Sequence, residues 1–192
     1  MIDINSVLVV IEQSHKAQPA LQRGIDLVHK TRAKLMVMMT VYHPMYDQTL
    51  MLSAQEREEF RAEYIADQYQ VLSDLLEDYQ LPSQTLTAIN WHKSEYNSII
   101  ATAAEEHADI IIKSTKQNDT LSTLLFTALD WHLLRKSPIP VLLVKPNQWH
   151  SYTDILTAVN TGEDDRSHSD LNEKLTTTAG DFARLFSSNL HL

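Results

Sequence analysis

The chain has 192 residues, of which 43% are hydrophobic and 21% charged. That composition builds one globular domain with about forty residues to spare and excludes wholesale disorder. A formal net charge of −9 excludes the basic surface that nucleic acid or anionic lipid requires, so neither is an expected partner. The absence of cysteine excludes disulfides, thiol nucleophiles and iron–sulfur ligation, and fits a reducing, cytoplasmic address.

The opening Met1-Ile2-Asp3-Ile4-Asn5 has neither the basic start nor the apolar run of a signal peptide, and no later apolar run could span a bilayer. Val7–Ile11 is a continuous β-branched stretch, which predicts a strand buried on both faces. Pro19 opens a helix to about Arg32, with Leu21, Ile25 and Val28 at core spacing. Lys34–Tyr42 is a second strand. Ser53 and Glu56 form a capping box that starts a long helix to about Tyr79, acidic on its polar face. Thr85–Trp91 is a third strand, Glu95–Glu106 a helix and Ile110–Ile112 a fourth strand. Leu121–Lys136 is helical with a break near Thr127, and Ser137-Pro138 stops it. Pro140–Val144 is a fifth strand. Strands alternating with helices predict one parallel sheet with helices on both faces.

A polar linker, 147–151, separates this first domain, 1–146, from residues 152–192. There the pattern restarts. Asp154–Asn160 matches Ser6–Glu12 at an offset of 148, and a helix follows over Leu171–Phe186. The tail therefore reads as the incomplete strand-and-helix start of a second copy. A lone βα unit cannot bury its own apolar face.

Glycine is scarce. Gly24, Gly162 and Gly180 are the only three, so Walker and dinucleotide-binding glycine loops are excluded. The nine histidines are scattered without metal-ligand spacing. In Trp91-His92, Trp131-His132 and Trp149-His150 the expectation is that the indole packs and the imidazole faces water. Asp130 and His132 lie two apart on a helix, which does not bring them together. No serine elbow is present. Glu12, at the carboxyl end of the first strand, is the best single functional residue, because ligands of open α/β sheets bind where the strand order reverses.

The opening strand, Ala108-Asp109-Ile110-Ile111-Ile112 and the closing run Leu134–Val144, with its Ser-Pro-Ile-Pro stop before an apolar strand, resemble the universal stress protein family and, through Thr127–Lys136, its tandem-domain members. The resemblance implies a doubly wound α/β fold with strand order 3-2-1-4-5, of the adenine-nucleotide α-hydrolase-like type. ATP-binding members of that family use an aspartate after strand 1 and a glycine-rich loop after strand 4. Aligned back from Pro138 without gaps, the loop's four motif positions hold Ser114, Gln117, Thr127 and Ala128, and the aspartate position holds Glu12. The glycines that would turn backbone N–H groups toward a triphosphate are absent, so no ATP cofactor is expected.

The resulting expectation is a non-catalytic stress-response protein with a degenerate nucleotide loop, acting by protein association or weak small-ligand binding. The alternative is a carrier of a partly apolar molecule in the cleft above strands 1 and 4, with Phe126, Leu129 and Val41 as its apolar lining. An enzyme of the nucleotidyl-transferring kind lacks a nucleophile, a metal cluster and a phosphate loop. Family dimers pair through strand 5, so Pro140, Val141, Leu142, Leu143 and Val144 are expected to form the edge of a homodimer.

Overall fold

The structure is a computed structural model that describes residues 3–13, 17–48, 53–115, 126–145, 154–160 and 166–192. Ile4–Pro146 forms one compact unit and Asn147–Leu192 belongs to another. In the first, β1 (Ser6–Val10), β2 (Lys34–Val41), β3 (Leu86–Trp91), β4 (Ile110–Ser114) and β5 (Val141–Val144) form a single sheet in the order β3-β2-β1-β4-β5. Every neighbouring pair is parallel. This is the doubly wound topology expected from the alternating pattern.

The apolar runs are continuous because both faces of the central strands are covered. Leu8, Val10, Met36, Met38 and Ile111 point to one face, where α4 (Glu95–Glu105) supplies Ile99 and Ala103 and α5 (Ala128–Lys136) supplies Leu133. Val9 points the other way, toward α1 (Pro19–Thr31). A Cβ on Gly24 of that helix would lie 2.4 Å from Val9 Cγ2, so α1 sits on the sheet at a distance only glycine allows. Burying an aliphatic side chain such as Leu8 contributes roughly 1.5–3 kcal/mol, and the core repeats that gain at each registered pair.

A short helix the sequence did not announce, α2 (Met45–Gln48), follows β2. Next comes α3 (Ala54–Leu76), opened by the expected capping box: Ser53 Oγ accepts from Glu56 N–H, and the Glu56 carboxylate accepts from Ser53 N–H. Only Leu72 and Leu76 of α3 are buried, so most of this acidic helix faces solvent. Phe126 is not helical and α5 begins at Ala128 with Thr127 as its N-cap; residues 121–125, the start of the expected helix, lie outside the described residues.

The second unit contains β6 (Ile155–Leu156), α6 (Arg166–Phe186) and β7 (Leu190–His191), with β6 and β7 parallel. The helix starts five residues earlier than the sequence pattern indicates, and β7 is an additional strand. Asn172 ties the helix to the end of the strand region: its side-chain N–H donates to the Asn160 carbonyl at 2.7 Å and its Oδ1 accepts from Asn160 N–H at 2.9 Å. Among the described residues, no helix is long and apolar enough to cross a membrane.

Candidate functional site

The sheet order turns back between β1 and β4, and the crevice at the carboxyl ends of such strands is where open α/β sheets bind ligands. A cavity of about 350 Å³ lies there. Its apolar wall is Ile11, Met39 and Leu129. Its polar wall includes Glu12, Thr40, Glu95 and Thr127. Among the described residues, this cavity stands over the ends of β1 and β2, beside the starts of α4 and α5.

The end of β4 carries Lys113. It lies on β4 in register with Val10 of β1, two residues after the core residue Ile111, so its side chain enters the same face. The side chain is fully buried, as is that of Asp130 on α5, while Glu12 keeps 11% exposure. Lys113 Nζ donates to Glu12 Oε1, lies 3.0 Å from Asp130 Oδ1, and donates to the carbonyl of Ser114 at 2.8 Å. The ammonium is thus held by two hydrogen bonds and by a 3.0 Å ion pair to Asp130. Burial alone would push the Lys113 ammonium down. The hydrogen bonds and charges of Glu12 and Asp130 together outweigh it and hold the group above the ordinary lysine value.

Asp130 divides its two oxygens. Oδ2 accepts from Thr127 N–H at 2.8 Å, while Thr127 Oγ1 accepts from Asp130 N–H at 3.2 Å, a capping box that closes the first turn of α5. Oδ1 faces Lys113. One carboxylate thus joins a helix cap to a buried cation.

Of the residues singled out from sequence, Glu12 and Thr127 line the cavity, and Glu12 is ion-paired with Lys113. Val41 is buried in β2 beside Trp91, and Thr40 and Met39 take its place in the lining. Ser114 is buried, and its Oγ accepts from Ala20 N–H at 3.2 Å, so it anchors the start of α1. Ala128 is exposed and outside the cavity. Gln117 lies outside the described residues. Of the expected apolar lining only Leu129 is present, since the Phe126 ring packs edge-on to Trp131 at 5.3 Å. Lys113 and Asp130 were missed. The available signal was a lysine continuing an all-apolar strand, which must find an acid when flanked on both sides.

Trp91 packs as expected, within 5.2–5.7 Å of Tyr42, Tyr46 and Tyr64, with His92 outside. Trp131 does not: it is 49% exposed, with Arg135 above its ring. Trp149-His150 lies outside the described residues. No three histidine or acidic side chains come together as a metal site among the described residues. At the sheet's end, β5 pairs, among the described residues, only with β4; Pro140 is exposed, Val141, Leu142 and Leu143 are half-buried and Val144 is buried.

A parallel sheet wound on both sides, with a crevice at its switch point, defines a doubly wound α/β domain. The chain belongs to the universal stress protein family, whose model matches residues 4–145. It is 33% identical over 193 residues to the universal stress protein E homolog of Haemophilus influenzae, an alignment covering 97% of this chain and 62% of that protein. A crystal structure of a Pseudomonas aeruginosa universal stress protein superposes with a TM-score of 0.70 at 28% identity, covering 98% of this chain and 60% of that one. The chain thus spans less than two thirds of the length of these relatives. A crystal structure of a universal stress protein in complex with cAMP shares the fold, with a TM-score of 0.52 at 18% identity.

Proposed function

We propose that this is a non-catalytic stress-response domain whose cleft takes a small, partly apolar molecule and does not hold ATP in the manner of the nucleotide-binding members. One observation carries the reading: the groups that would meet a phosphate at β4 and α5 are already engaged within the protein. Lys113 is ion-paired with two carboxylates and hydrogen-bonded to the Ser114 carbonyl. The first turn of α5, whose free N–H groups would attract an anion, is closed by Thr127 and Asp130 and carries the aspartate's negative charge. Calorimetric titration of the full chain with Mg-ATP tests this. The expected result is no saturable heat, and a Kd tighter than about 10 μM would overturn the reading.

A second reading, association through β5, is favoured by the one-sided pairing of that strand and by Trp131 and Leu134 on α5, which are 49% and 45% exposed. It predicts a homodimer by light scattering at tens of micromolar, converted to monomer by Leu142→Lys. A wild-type monomer would remove it. In the same proposal, the βαβ unit of residues 154–191 is the beginning of a second domain of the same family, which agrees with the collinear match to longer relatives.

A further inference from the structure

We propose that Tyr96 is a covalent modification site, a surface phenol that takes an acyl group from a small activated acyl donor. The proposal does not depend on what the cleft binds. It rests on a cluster that α4 and α5 assemble at the protein's surface. Tyr96 Oη accepts from the Lys136 ammonium at 3.1 Å. The same ammonium lies 4.3 Å from the centre of the Tyr96 ring. His132, one helical turn before Lys136, stacks on that ring, with centroids 4.6 Å apart and planes 23° from parallel. Tyr96 is half-buried and packs against the core that holds Ile99 and Leu133, while His132 and Lys136 are exposed. The ring is thus fixed on a packed base, and its hydroxyl meets a cation at the surface.

Other described tyrosines are placed differently. Tyr46 donates its hydroxyl to Glu58 at 2.8 Å, and that bond pushes the phenol up. Tyr42 has Lys93 5.7 Å from its ring, but that lysine is paired with Asp47, whose carboxylate pushes Tyr42 up as well. Tyr69 and Tyr79 accept backbone N–H groups, from Ile89 at 3.4 Å and from Gln18 at 2.8 Å. At Tyr96 the hydrogen bond from Lys136, and then its charge, hold the phenol below its ordinary value. The anion is the nucleophile for a phenol as it is for a thiol, so this placement raises the reactive fraction. In the step itself, a lone pair on Tyr96 Oη forms the bond to the donor's carbonyl carbon. The bond from that carbon to the leaving group breaks, and the leaving group departs with the electron pair and takes up the phenol's proton. Nothing is oxidised or reduced. Lys136, beside the attacking oxygen, is placed to donate an N–H to the carbonyl oxygen as charge gathers on it. A phosphoryl donor fits less well, because its transfer needs several cations or a metal, and no metal-type cluster occurs among the described residues.

N-acetylimidazole, applied in limiting amount to the full chain near neutral pH, tests the proposal. Peptide mass spectrometry reads the acetylation rate at each tyrosine, and reversal by hydroxylamine marks the product as a phenol ester. Tyr96 is expected to react about tenfold faster than Tyr46. It is also expected to outpace Tyr69, which at 44% exposure would lead if access alone decided. Lys136→Met should slow Tyr96 about threefold and leave Tyr46 unchanged, whereas Lys136→Arg, which keeps the charge, should retain most of the rate. Lys136 is exposed at the end of α5, so both variants leave a folded chain to measure. Tyr96→Phe should remove the fastest acetyl group while keeping the ring. A rate at Tyr96 no faster than at Tyr46 or Tyr69 would overturn the proposal, as would a rate indifferent to Lys136→Met. So would a hydroxylamine-resistant acetyl group on the Lys136 amine in place of the ester on Tyr96.

Discussion

The chain builds the unit strand–helix–strand twice at its two ends, and the two versions fare differently. β1–α1–β2 registers five residue pairs, Ser6↔Lys34 to Val10↔Met38. β6–α6–β7 registers two. Leu8 and Leu156 occupy matching places in the repeated segment, yet Leu8 has no exposure and Leu156 is 80% exposed. β1 is flanked by β2 and β4 and covered by helices on both faces, whereas β6 has one neighbour among the described residues. An apolar run is thus a requirement for neighbours and does not create them. Burial of the same pattern depends on how many other elements reach it.

Substitutions can break that contrast at several strengths. The largest effect is expected at Lys113, because three separate elements converge on it. Lys113→Met leaves two carboxylates facing each other without a cation and should cost about 3–5 kcal/mol in chemical denaturation. The sign of its pH dependence follows from the raised lysine value. The cluster's contribution is complete below the ordinary value of 10.5 and is lost as pH rises through the higher folded value. The wild type should therefore lose stability above that pH more steeply than Lys113→Met does.

The paired leucines come next. Leu8→Ala should cost about 2–5 kcal/mol through transfer and cavity terms. Leu156→Ala should change stability by less than about 0.5 kcal/mol, since it leaves no cavity. Equal effects would show that the second unit buries its strand as fully as the first. The glycines give the smallest pair and opposite signs. Gly24→Ala drives a methyl into Val9 and should cost about 1–3 kcal/mol. Gly180 in α6 has no atom within 4 Å of an added Cβ, so Gly180→Ala should gain about 0.5–1 kcal/mol of helix stability. Thermal unfolding followed by circular dichroism reads both.

The five-stranded sheet was legible because each strand is a compact apolar run and each helix carries a start or stop signal, as at Pro19, Ser53 and Pro138. The short elements were not. α2 has four residues and β7 two, too few for any period to show. Glu12 was legible from its position at the end of β1. Lys113 was not, because a lysine after Ile110-Ile111-Ile112 reads in one dimension as the point where a strand meets water. Only the register beside Val10, and the return of α5 over β4, turn it inward against Asp130.

Lys113 also bears on how this domain folds. Its acids come from opposite ends of the unit: Glu12 lies 101 residues before it, and Asp130 is carried by the helix that follows β4. A chain that has paired β1 with β4 but not docked α5 holds a partly desolvated ammonium short of one acid, and a chain that docks α5 over unpaired strands holds it short of the other. Both half-assembled states are disfavoured by several kcal/mol relative to the finished arrangement. The lysine therefore couples a long-range strand pairing to a local helix docking, sharpening the unfolding transition of the five-stranded unit into a single event and raising the free energy of partly open forms.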